Sequence, residues 1–198
     1  MQRKSFGNMQ CPIARSLERV GEWWSILILR DAFHGLTRFD QFQKSLDIAP
    51  NMLTRRLNAL VESGLLERRR YSERPPRDEY VLTDRGRDFR PVLWALIAWG
   101  NKHFAPEGKS VVIVDSETGT EADPVLVDRA SGRLLAEPAF LPAPGPVADE
   151  ATLKRHAFAA RKRQQRSAEE SGNGTAALTP TPRTKAKARR PEAAGRQQ

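Results

Sequence analysis

Apolar residues recur at helical spacing through the first hundred positions of this chain and thin out afterwards. Within Cys11–Val20, Ile13, Leu17 and Val20 share one side at spacings of four and three. That predicts a short helix with Pro12 in its first turn, where a missing N–H is harmless, and Gly21 as its stop. Trp23–Phe33 is apolar almost all round, which predicts a central buried helix ending at His34-Gly35. Phe39, Phe42 and Leu46 predict a third helix, capped by Thr37 with Asp40 at the third helical position. Asp47-Ile48-Ala49 reads as a tight turn in which Ile48 plugs the gap between two helices. Pro50 opens the next helix, and Gly64 closes it.

On that fourth helix Leu53, Leu57, Leu60 and Val61 fall on one side. Asn51, Arg55, Asn58 and Glu62 lie opposite, with Thr54 and Arg56 at the two edges. The period then changes. Leu65–Tyr71 alternates imperfectly, as a half-buried strand does; Ser72–Asp78 is a turn stiffened by Pro75 and Pro76 and carrying Arg74 and Arg77; Tyr80–Leu82 is the return strand. Thr83 or Asp84 caps a last helix, in which Phe89, Val92, Leu93, Leu96 and Ile97 recur at spacings of three and four while Trp94 and Trp99 lie off that stripe. A helix so apolar around its circumference needs more cover than one small domain supplies, which predicts a subunit interface.

Past Gly108 the chain repeats itself. Val112-Ile-Val-Asp-Ser-Glu-Thr-Gly119 is followed by Val125-Leu-Val-Asp-Arg-Ala-Ser-Gly132, two short strands each ending in an Asp-x-x-x-Gly turn. From about Pro138 Pro, Ala and Gly dominate. Thr152–Ser167 reads as a transient basic helix, and residues 168–198 as disordered. The expected organisation is therefore a flexible start (1–10), one main domain (11–107), a small β-hairpin-like extension (108–137) and a largely disordered tail (138–198). The fold class is α+β: a helix-turn-helix followed by a hairpin wing, with a small β appendage and a disordered C-terminal tail.

Charge sharpens the picture. Met1–Gly108 holds 18 basic and 13 acidic residues, Lys109–Leu153 holds 3 and 8, and Lys154–Gln198 holds 12 and 3, so the overall +9 is carried by the first block and the tail. Basic blocks of this kind suit a polyanionic partner. The tail reads either as an arm adding non-specific phosphate contacts or as a solubilising appendage. The single cysteine, Cys11, excludes an intrachain disulfide framework and fits a reducing, cytoplasmic setting. No apolar run approaches the ~18 residues of a membrane span.

A helix buried on one face and polar on the other, followed by a basic hairpin, is a device for placing hydrogen-bonding groups in a DNA major groove. Arginine can fork onto guanine and asparagine onto adenine. The candidate base or groove contacts are Asn51, Thr54, Arg55 and Asn58; the candidate phosphate contacts are Arg38, Arg56, Arg74 and Arg77. The expected partner is double-stranded DNA. The alternative is a winged-helix module for protein contacts without specific DNA binding. An enzyme is not expected: Asp78, Glu79 and Asp84 occupy strand and cap positions, Ser25 lacks an activating base, and His34, His103 and His156 are scattered without partners at ligand spacing. No cofactor is expected, and no residue cluster specifies a small-molecule effector.

The ordered motifs Cys11-Pro-Ile, Gly21-Glu-Trp-Trp, Leu36-Thr-Arg-Phe-Asp-Gln-Phe, Ile48-Ala-Pro-Asn-Met-Leu-Thr-Arg-Arg-Leu, Ser63-Gly-Leu-Leu, Arg74-Pro-Pro-Arg-Asp-Glu-Tyr-Val-Leu-Thr and Trp99-Gly resemble the HxlR family of winged-helix transcriptional regulators, relatives of the MarR group, over about Cys11–Phe104. The resemblance implies a homodimer on a pseudo-palindromic operator, paired through the N-terminal and last long helices. On this chain that places Ile13, Leu17, Phe89, Leu93, Trp94, Leu96, Ile97 and Trp99 at the interface. In some members a cysteine at the Cys11 position responds to oxidants or electrophiles, which makes Cys11 a candidate sensor; its other reading is a small residue packed at a helix start. Some members carry a zinc-ribbon-like extension, but the corresponding positions here are Asp115, Thr118, Asp128 and Ser131. Structural zinc prefers thiolate and imidazole, so no metal is expected. Members often carry lysine or glycine where this chain has Glu22 and Asn51, so their base preference does not transfer.

Overall fold

The computed structural model describes residues 9–173; the expectations of a flexible first eight residues and of disorder over 174–198 lie outside the described residues. The described chain divides into two compact units, one ending at Thr152 and one starting at Leu153. In the first, α1 (Pro12–Val20), α2 (Trp23–Phe33), α3 (Phe39–Leu46) and α4 (Pro50–Glu62) precede an antiparallel hairpin, β1 (Leu66–Glu73) and β2 (Pro76–Leu82). Then come α5 (Asp84–Arg87) and α6 (Arg90–His103).

The core lies where α2, α3 and α4 meet the hairpin. Ile28, Leu29, Phe42, Leu53, Leu57 and Leu60 are wholly buried there, each stabilising the fold by roughly 1.5–3 kcal/mol. Ile48 is buried as the expected plug in the α3–α4 turn, where Asp47 takes the left-handed conformation at φ 48°. Gly64 follows α4 at φ 67°, a conformation glycine adopts without steric cost, and the chain turns there into β1.

Four expectations are corrected. First, α2 is not buried all round: Trp23 is 75% exposed, while Ser25 and Asp31 are buried. Second, the N-cap of α3 is Arg38 rather than Thr37, and the reciprocal bond comes from Gln41 rather than Asp40. Gln41 Oε1 accepts from the backbone N–H of Thr37 at 3.0 Å and of Arg38 at 2.9 Å. Third, the hairpin turn is confined to Arg74-Pro75, because pairing continues out to Glu73 opposite Pro76. Fourth, neither terminal helix is long: α1 has 9 residues, and the helix expected from Thr83 onward is split, leaving 14 in α6. Pro91 gives the reason. It has no N–H to continue a helix from α5, but suits the first turn of a new one.

The junction between hairpin and α5 is tightly joined. Thr83 Oγ1 accepts from the N–H of Gly86 at 3.0 Å and donates to the carbonyl of Gly64 at 2.7 Å. The extension forms two successive hairpins closed by the bridges Val114–Glu121 and Val127–Leu134. The second unit holds most of α7 (Glu150–Asn173), a regular helix that spans the basic helix expected over Thr152–Ser167 and runs on into the first residues expected to be disordered. No described helix is long and apolar enough to cross a membrane.

Candidate nucleic-acid interface

The surface begins with the way α4 is held. With Leu53, Leu57 and Leu60 locked in the core, the 3.6-residue period turns Asn51, Thr54, Arg55 and Asn58 outward, and all four are exposed. Part of their hydrogen-bonding capacity is already engaged. Thr54 Oγ1 donates to the carbonyl of Pro50 at 2.8 Å, leaving its lone pairs to accept. Asn51 Oδ1 accepts from the N–H of Met52 at 2.7 Å, leaving its amide NH₂ to donate. Arg55 makes no ion pair among the described residues.

Arg56 corrects the reading of an outward phosphate ligand. Its side chain is only 14% exposed, and Nη2 lies 3.0 Å from Glu22 Oε2 at the N-cap of α2. It ties α4 to α2 instead of facing solvent. Sequence spacing did not reveal this pair, because Glu22 and Arg56 lie on different elements far apart along the chain.

Arg38 is exposed at the start of α3, and its guanidinium stands 4.6 Å from the centroid of the Tyr71 ring on β1. Arg38 also bridges Glu79 through the backbone, and the N–H of Tyr80 donates to the carbonyl of Thr37 at 2.7 Å. The head of α3 is therefore stitched to both strands of the hairpin. The partners Gln41 and Tyr71 were not singled out from sequence; Gln three residues after the cap was the available signal for the first.

Charge on the hairpin is unevenly engaged. Arg70 Nε donates to Asp78 Oδ1 at 2.5 Å, and Nη1 lies 3.6 Å from Glu73. The hydrogen bond to Asp78 and then that carboxylate's charge raise the Arg70 pKa above its ordinary value. Arg69 pairs with Glu67. Arg74 at the tip and Arg77 beside it are exposed and make no ion pair among the described residues.

The expected interface residues fall into two groups. Ile13, Leu17, Trp94, Leu96 and Trp99 are exposed. Leu93 is buried within the chain and Phe89 packs against its core, so both serve the protomer interior; Ile97 is half-buried. Trp99 meets Phe104 edge-on at 4.8 Å between ring centroids. Cys11 is the half-buried N-cap of α1. Arg15, one turn on, donates from Nε to the carbonyl of Met9 at 2.8 Å.

In the extension the polar side chains close their own turns. Asp115 accepts from the N–H groups of Glu117 and Thr118, both at 2.9 Å. Asp128 accepts from Ser131 Oγ at 2.5 Å and from the Ser131 N–H at 2.9 Å. These bonds, led by the Thr118 N–H for Asp115 and the Ser131 hydroxyl for Asp128, hold both carboxyls below the usual carboxylate range. No cluster of three or more His, Cys, Asp or Glu suited to a metal occurs among the described residues.

With this geometry, comparison with known proteins is specific. The model of the HxlR-like helix-turn-helix family matches residues 19–108. Rv3095 of Mycobacterium tuberculosis, an uncharacterised HTH-type transcriptional regulator, is 41% identical over 135 residues, covering 68% of this chain and 85% of its own. Among solved structures, PA1374 from Pseudomonas aeruginosa is 58% identical with a TM-score of 0.55, covering 73% of this chain and 99% of that one. PA1607 is 42% identical with a TM-score of 0.63, covering 71% and 99%. Both are designated transcription factors. The chain belongs to the HxlR-like helix-turn-helix family of transcriptional regulators, not to an enzyme family.

Proposed function

We propose that this regulator binds double-stranded DNA as a homodimer on a pseudo-palindromic operator, with α4 in the major groove and the hairpin as the wing. One observation carries the reading: Asn51, Thr54, Arg55 and Asn58 form an exposed row on a helix whose opposite face is wholly buried. Depth and rotation of the helix are thereby held by the core, leaving the row to meet base edges. Arg74 and Arg77 then supply backbone contacts, and Arg38 a phosphate contact at the head of α3. Selection of DNA fragments by the purified protein tests this. It should enrich two half-sites about one helical turn, ~34 Å, apart. A dimer that enriches no sequence would favour the protein-interaction module instead.

Pairing of two copies is supported by the exposed apolar side chains of α1 and α6, with Trp99 56% exposed. Trp99→Asp should yield a monomer by sedimentation. Cys11 lies at the start of α1, next to Ile13, so oxidation there would act on the same pairing surface. A Cys11→Ser protein should keep its operator under peroxide, hypochlorite or quinone treatment while wild type releases it; identical behaviour of the two removes the sensor.

A further inference from the structure

Tyr71 on β1 is the residue at which the hairpin register shifts. Across the ladder Arg70 pairs with Asp78 and Ser72 with Arg77, so Tyr71 is an extra residue without a partner, a β-bulge. A bulge breaks the alternation of a strand and re-aims a side chain. The side chain in question is the Tyr71 ring, 37% exposed, over which the Arg38 guanidinium stands at 4.6 Å from the ring centroid. The backbone of Arg38 is fixed independently: its N–H donates to Gln41 Oε1 at 2.9 Å, and it bridges Glu79 on β2. Three carboxylates of the hairpin are engaged by other arginines, Asp78 and Glu73 by Arg70 and Glu67 by Arg69. Arg38 itself is exposed and makes no ion pair among the described residues.

We infer that Tyr71 is a positioning residue for the Arg38 phosphate contact: the bulge presents an aromatic face that holds the guanidinium in place before DNA arrives. The inference rests on the function proposed above. The chemistry of the two groups is compatible. A ring attracts the guanidinium through its π face, whereas the guanidinium's N–H donors point outward in its own plane. Phosphate is bound through those donors, so the ring and a phosphate do not compete for the same atoms. An arginine that swings freely gives up side-chain freedom when it binds, and one already held by a ring has less to give up. A role in core packing fits less well, because the ring is exposed and lies outside the buried cluster that holds α2, α3, α4 and the hairpin together.

The test measures duplex affinity of the full chain by fluorescence anisotropy across a salt series. It compares wild type with Tyr71→Phe, Tyr71→Leu, Arg38→Gln and the double variant of Tyr71→Leu with Arg38→Gln. Arg38→Gln should lower the slope of log affinity against log salt by about 0.9, as expected for one phosphate. Tyr71→Leu should weaken binding about two- to fivefold, the size of an exposed cation–π contact. Tyr71→Phe keeps the ring and should bind like wild type. In the Arg38→Gln background, Tyr71→Leu should cost nothing further. A ring that only supports the hairpin would cost the same in both backgrounds, and a hydroxyl that bonds DNA directly would be missed in Tyr71→Phe. Either result overturns the inference, as does an unchanged slope for Arg38→Gln. NMR of the DNA-free protein supplies a second readout. Ring current should move the Arg38 side-chain resonances upfield in wild type and Tyr71→Phe, and the shift should vanish in Tyr71→Leu. Unshifted resonances in wild type would overturn the inference and leave the proposed function standing. A wild-type chain that shows the shift but binds no duplex would remove the proposed function itself.

Discussion

Arg56 in α4 and Glu22 at the head of α2 form an ion pair with Nη2 and Oε2 3.0 Å apart. The pair is mostly shielded from water, so each group would be left poorly solvated if its partner vanished. Arg56→Ala should destabilise the fold by about 1–3 kcal/mol. A double-mutant cycle with Glu22→Gln, read by chemical denaturation, should show clear coupling, because each substitution breaks the same ion pair. Strict additivity would mean that the pair contributes nothing to holding α4.

Arg55 and the wing arginines should behave differently on DNA. Arg55→Ala should cost about 1–3 kcal/mol on the selected operator and relax its preference at one base position. Arg77→Ala should weaken binding to all duplexes alike and lower the salt slope by about 1. Affinities on operator and scrambled duplex across a salt series separate the two; matching specificity losses would refute the division of labour.

Gly86 is required by space rather than by backbone twist. A Cβ there would sit 2.1 Å from the carbonyl oxygen of Leu65, a main-chain atom that cannot swing aside. Gly86→Ala should therefore destabilise by about 1–3 kcal/mol, against the usual gain when alanine replaces a helical glycine. A midpoint of thermal unfolding equal to wild type would show that α5 shifts freely.

Asp115 and Asp128 have carboxyls held below their ordinary range by the bonds that close their turns. Their stabilisation is fully present above the unfolded value of about 3.9 and is lost as pH falls through the lower folded values. Carboxyl resonances followed by NMR should titrate below that of an exposed reference aspartate. In Asp115→Asn the local turn should lose its acid sensitivity while the Asp128 turn retains it.

Periodicity read most of this molecule correctly, and the reasons for success and failure are physical. The α4 face was legible because Leu53, Leu57 and Leu60 leave a helix only one way to pack. The Asp-x-x-x-Gly turns were legible because their bonding is local. Arg56 misled because an arginine at the edge of an apolar face can turn either way, and its choice depends on Glu22 in another helix. Leu93 and Phe89 misled similarly: a stripe marks burial without saying whether the cover comes from the same chain. The split between α5 and α6 was signalled by Pro91, against the continuous stripe that suggested one helix.

The extension's two hairpins repeat their bonding at a constant offset. Asp115 N–H to Thr120 carbonyl is matched by Asp128 to Arg133, and Ala122 to Ile113 by Leu135 to Leu126. Every counterpart is displaced by the same number of residues along the chain. Excising residues 115–127 would therefore splice Val114 onto Asp128 and leave one complete turn, with its aspartate cap and its closing bridge residue intact. The segment is in effect a cassette: its length can change in whole units without a frame of hydrogen bonds being broken, and any property it lends the protein should scale with copy number.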